Sequence, residues 1–159
     1  MAKKISSGTQ SEPTFYNLFG ISCHLKDYRL SYLLNRSLDL EFTKMDDFQG
    51  FSFYFCRHEE CFNAYYLLAN RTPESILLPE LKQTDFILLV EGPFKKIQKE
   101  RLLENIKSIP NVLTSFEIRF STIKNYEAIL TDLEIHYMNI IKDSKLKYSL
   151  TKKQEEPLC

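Results

Sequence analysis

The sequence predicts an α+β fold: an antiparallel or mixed sheet of about six strands, helices packed on one face, and a C-terminal helix. Three observations predict it. Alternating segments interleave with helical ones in the order strand–helix–strand, hairpin, strand–helix–strand, helix. The run Phe86 to Val90 is apolar on both faces, as a central strand is. The 159 residues are 43% hydrophobic with only 4 Gly and 6 Pro, which suits a packed core and excludes disordered or linker-like material.

The elements follow in order. Phe15 to Ser22 alternates as a first strand. Ser22 is a suitable helix N-cap, with Asp27 in the early turns, so a helix is predicted from about Cys23 to Ser37. Its apolar residues form two stripes, Leu25, Tyr28 and Tyr32 on one side and Leu30, Leu33 and Leu34 on another. A helix apolar on two sides needs two covers. Leu38 to Lys44 alternates as a short strand, and 45–50 reads as a loop. Phe51 to Cys56 and Cys61 to Ala69 read as a hairpin around a charged turn. Pairing Cys56 with Cys61 places Phe55 opposite Phe62 and Phe53 opposite Ala64, with aromatics on both faces. Thr84 to Glu91 is the central strand, stopped by Gly92-Pro93. A helix over about 95–107 follows, then an amphipathic strand from Val112 to Phe120 with Val112, Thr114, Phe116, Ile118 and Phe120 inward. Tyr126 to Ile141 carries a helical apolar stripe. Two strand–helix–strand units around a meander are related to the split βαβ arrangement.

In this reading residues 1–14 are a disordered N-terminal tail, 15–141 a single domain and 142–159 a polar C-terminal tail. The 21 basic and 21 acidic residues cancel, but the ends hold many of the lysines, so the body is mildly acidic. Nucleic acid is therefore not the expected partner. There is no apolar run of membrane-spanning length and no signal-like N-terminus, so the expected location is the cytoplasm. The 4 cysteines are too few for a disulfide scaffold.

Leu78-Pro79-Glu80-Leu81-Lys82-Gln83-Thr84-Asp85-Phe86 resembles the signature of the bacterial IPExxxVDY family, with Pro79, Glu80 and Asp85 matching outright. The stretches 20–30 and 65–70 are also similar to that family, and the resemblance covers roughly residues 15–120. The family is of unknown function, so the resemblance implies no activity, cofactor or catalytic residue.

Four groups could carry chemistry. His24 and Asp27 are spaced to meet on one helix face, with Arg29 turned away; a carboxylate beside an imidazole suits acid–base work, and a capped helix start is the plainer reading. Asp85 and Glu91 share a face of the central strand but lie about 20 Å apart, too far to cooperate. Pro79 suits a strand entry, and Glu80 and Asp85 suit ties to backbone N–H groups or an arginine. Cys56-Arg57-His58-Glu59-Glu60-Cys61 lacks the four ligands of a zinc site and reads as a turn. Lys95, Lys96 and Lys99 open a helix and could attract an anion, although a solvated basic face explains them equally.

The expectation is a small non-enzymatic binding or structural module with no cofactor and no metal. It self-associates, as a dimer, to cover its excess apolar surface, and a protein partner is the other candidate. The alternative is a small-ligand-binding protein or enzyme using His24 and Asp27 with Glu80 or Asp85.

Overall fold

A computed structural model of the chain describes residues 15–154, with side chains through 145. The tail expected over 1–14 and Cys159 lie outside the described residues. The chain divides into two units, the second beginning at Asn125.

The first unit is an α+β structure with one six-stranded sheet. Its elements are β1 (Tyr16–Cys23), α1 (Asp27–Leu38), β2 (Thr43–Phe48), β3 (Phe51–His58), β4 (Asn63–Ala69), β5 (Phe86–Glu91), α2 (Lys96–Lys107) and β6 (Val112–Ile118). The strand order is β2-β3-β4-β5-β1-β6, and every neighbouring pair is antiparallel. β1 thus lies between β5 and β6, which α2 connects, giving a split βαβ unit. β5 is central, as its continuous apolar run requires.

One face of the sheet packs on α1 and α2. Phe19, Ile21, Tyr54, Leu67, Leu88 and Val90 meet Leu30 and Leu34 from α1 and Leu102 and Ile106 from α2. The opposite face is also apolar, with Phe53, Phe55, Tyr66, Leu68, Ile87 and Leu89 all buried. Neither face of the hairpin is therefore spare apolar surface.

Several boundaries differ from the sequence reading. The helix starts at Asp27, with Lys26 as N-cap, rather than near Cys23. The reason is that 22–24 are held elsewhere: Ser22 Oγ donates to Gln83 O at 2.7 Å, Cys23 N to Asp85 Oδ2 at 2.9 Å and His24 N to Asn111 O at 3.0 Å. The alternation Leu38, Leu40, Phe42 is not a strand. The helix runs through Leu38, Asp39 turns left-handed, and Leu40 and Phe42 dip into the helix-side core. Asn35 fixes that descent, its Oδ1 accepting from Phe42 N at 2.7 Å. β2 begins after it, over the stretch expected to be a loop.

The hairpin register is offset by four residues along β4 from the expected one. Cys56 faces Tyr65 and Phe55 faces Tyr66, because β3 continues to His58 and the turn is a short 3-10 segment, Glu59–Cys61, closed by Phe62. An even offset keeps each side chain on its face, so the aromatic faces are as expected. In β6 the register skips Leu113, pairing Ser22 with Thr114 but Cys23 with Val112. This bulge sends Val112 to the helix side, where it packs against the core, while Phe116 opposes Gly20 on the other face.

The second unit is α3, Tyr126–Gln154. Asn125, left-handed at φ 57°, starts it, and its carbonyl accepts from Ala128 N and Ile129 N. The helix continues past Ile141, where the apolar stripe ends.

Candidate functional site

The signature-like stretch lies where the chain leaves β4 and returns as β5. Asn70, just after β4, is completely buried. Its Nδ2 donates to Leu81 O and Thr84 O, each at 2.9 Å, and its Oδ1 accepts from Leu78 N at 2.9 Å. Its backbone N donates to Asp85 O, and its carbonyl accepts from Leu77 N. One side chain thereby closes the loop between β4 and β5. A buried amide that meets this many backbone groups leaves few of them needing water.

Asp85 extends the sheet. The β1–β5 pairing ends at Ile21 and Phe86. Beyond it Asp85 N donates to Ile21 O, and Asp85 Oδ2 accepts from Cys23 N, so a carboxylate continues the ladder where backbone carbonyls stop. Arg71 Nε lies 3.8 Å from Asp85 Oδ1, and the same guanidinium donates to Lys82 O. Pro79 opens a 3-10 turn, Pro79–Leu81. Glu80 reaches Lys124 N at 3.1 Å. Glu80 and Asp85 both act as acceptors for distant backbone amides.

His24 is exposed and precedes α1, so it and Asp27 do not share a helix as expected. Asp27 accepts a long bond, 3.4 Å, from Tyr54 hydroxyl. Burial, then the nearby Asp27 charge, pushes the Tyr54 phenol up.

At the other end of β5, Glu91 Oε1 accepts from Tyr66 hydroxyl at 2.7 Å. Burial, reinforced by that bond to Glu91, pushes the Tyr66 phenol far up. Asn63, buried at the start of β4, donates to Glu91 O at 3.1 Å and Pro93 O at 2.9 Å. Gly92, at φ 104°, lets that loop close: a Cβ there would stand 2.3 Å from Phe62 O. Two buried asparagines thus bracket β4 and hold the loops at both ends of β5. The sequence reading missed both. The available signal was an amide flanking each end of an otherwise apolar strand.

The three lysines do not form a set. Lys95 is the N-cap of α2, its N–H donating to Gln98 Oε1 at 2.6 Å. Lys99 Nζ pairs with Glu117 Oε2 at 3.0 Å, and Lys96 is exposed. In the hairpin, Cys56 is buried and Cys61 exposed. Burial pushes the Cys56 thiol up, and its sulfur accepts from Glu41 N at 3.3 Å, so it has little thiolate character.

The remaining candidate is the outer face of α1. Leu30 and Leu34 are buried, while Tyr28 is 66% and Tyr32 49% exposed, one turn apart. Arg29 and Arg36 flank them. Arg36 donates to Tyr32 hydroxyl at 3.2 Å and lies 5.9 Å from its ring centroid. The guanidinium, by that bond first, lowers the Tyr32 phenol. One of the two predicted stripes is therefore covered by the sheet, and the other shows two tyrosines to solvent.

Among the described residues no helix is long and apolar enough to cross a membrane. Comparisons with family models, with curated proteins and with solved structures return no match to this chain.

Proposed function

We propose that this protein is a non-enzymatic binding module that self-associates through the outer face of α1. The observation that carries the reading is the exposed pair Tyr28 and Tyr32 with arginines on either side. Tyrosine and arginine are enriched at interface hot spots, because each buries much apolar area and keeps a polar tip. In a two-fold dimer the face meets itself, and an arginine of one copy can stack on a tyrosine of the other. The resemblance to the IPExxxVDY family fits this reading without adding an activity to it. The alternative, chemistry at His24 and Asp27 with Glu80 or Asp85, has less support, because all three carboxylates already accept hydrogen bonds within the chain.

Sedimentation velocity tests the proposal. The expected result is a dimer at about 100 μM that becomes a monomer in Tyr28→Ser/Tyr32→Ser, with an unchanged circular dichroism spectrum. A monomeric wild type at that concentration, or a dimer indifferent to the double substitution, would overturn it.

A further inference from the structure

A second surface has different chemistry. Between the C-terminal end of α1 and the inner side of α2 lies a cavity of about 300 Å³. One of its lining residues is Tyr65, on β4, a side chain only 8% exposed. Its ring packs edge-on against Phe42, and its hydroxyl has no hydrogen-bond partner among the described residues. The oxygen itself is accessible to solvent, so it can donate to a molecule in the cavity. Burial, with the Cys61 and Cys56 thiols adding to it, pushes this phenol up to about 12, so it stays a neutral donor.

The rest of the cavity matches that donor. Phe94 and Leu102 give it apolar walls. Arg101 lines it too and makes no ion pair among the described residues. Gln98 stands one turn before Leu102 on α2. Its carbonyl is committed to Lys95 N, which leaves its NH₂ group to give. The guanidinium, the amide NH₂ and the phenol are all donors, so they favour a ligand rich in acceptors. Asp39 also lines the cavity and disfavours a polyanion. The volume is at the low end for ligand pockets, which suits a small molecule.

We propose that this cleft binds a small monocarboxylate with an apolar or aromatic body, its carboxylate paired with Arg101 and an oxygen at its far end accepting from Tyr65. Such molecules come as plain organic acids or as amino acids, and Asp39 distinguishes the two by facing either nothing or an ammonium. The cleft shares no residue with the outer tyrosines of α1, so its test is independent of the dimer.

An amide NMR titration of the full chain with para-hydroxyphenylacetate, tyrosine and tyrosol tests the assignment. The first is expected to shift amides of 37–40 and 98–105 saturably, and tyrosol, lacking the carboxylate, to bind about tenfold more weakly. Tighter binding of tyrosine places an ammonium at Asp39; weaker binding identifies plain acids as the ligand class. Both results support the cleft as a carboxylate site. Arg101→Gln should weaken para-hydroxyphenylacetate about tenfold and Tyr65→Phe about fivefold, with unchanged urea midpoints. No saturable shift of these amides at about 10 mM, equal binding of tyrosol, or wild-type binding by both variants would overturn the proposal.

Discussion

The loop end of the sheet and the two surfaces proposed for binding on its helix-covered side use polar groups in opposite ways. At the loop end, Asn70, Asp85 and Glu80 all hold backbone groups of distant segments. On the helix side, Tyr65 and Arg101 have no such partners among the described residues, and Tyr28 and Tyr32 stand in solvent. The most recognisable stretch of the sequence thus lies where polar side chains are consumed by the fold. The groups still able to bind something lie on elements that looked ordinary. A distinctive motif need not mark a binding site, because closing a loop over a sheet end also demands particular residues at particular spacings.

Substitutions can break that contrast. The largest loss is expected for Asn70→Ala, which strands Leu78 N and the carbonyls of Leu81 and Thr84; urea denaturation should register about 3–5 kcal/mol. Asp85→Ala should cost about 2 kcal/mol, and Asp85→Asn less, since the amide oxygen can still accept from Cys23 N. Next come the neighbouring tyrosines of β4. Tyr66→Phe removes the bond to Glu91 and should cost about 1–1.5 kcal/mol. Tyr65→Phe removes no bond and should stay within about 0.5 kcal/mol of wild type. A larger loss for Tyr65→Phe than for Tyr66→Phe would reverse the comparison.

Alkaline pH sharpens it further. An unfolded tyrosine loses its proton near 10.0, whereas Tyr65 in the fold keeps it to about 12. Above the unfolded value the native state holds more protons, so stability falls as pH rises through this window. The contribution is fully present below it. Denaturation series across the window should show a shallower decline for Tyr65→Phe than for wild type. The last effect is a gain. Phe62 is 80% exposed and left-handed at φ 57°, so Phe62→Gly should raise stability by up to about 1 kcal/mol, read as a higher urea midpoint.

Periodicity made most of the fold legible. The order of the elements, the central place of β5, and the sharing of one sheet face by α1 and α2 all follow from where apolar residues recur. The departures arose where tertiary ties override local pattern. Residues 22–24 have a helix-start composition but are claimed by Gln83, Asp85 and Asn111. Leu40 and Phe42 alternate like a strand but are drawn into the core by Asn35. The bulge at Leu113 has no local marker. At the candidate sites, the stripe of Tyr28 and Tyr32 was readable from helical spacing. The cleft was not, because Tyr65, Phe94 and Arg101 come from three segments that only the sheet order brings together.

The central claim is that the stretch around Asn70 and Asp85 is a structural latch. Hydrogen exchange at two amides tests it most directly: Leu78, held by Asn70, and Cys23, held by Asp85. The latch predicts that both exchange only through global unfolding, at the rate of the β5 amides. Fast exchange at Leu78 and Cys23 while β5 stays protected would contradict it.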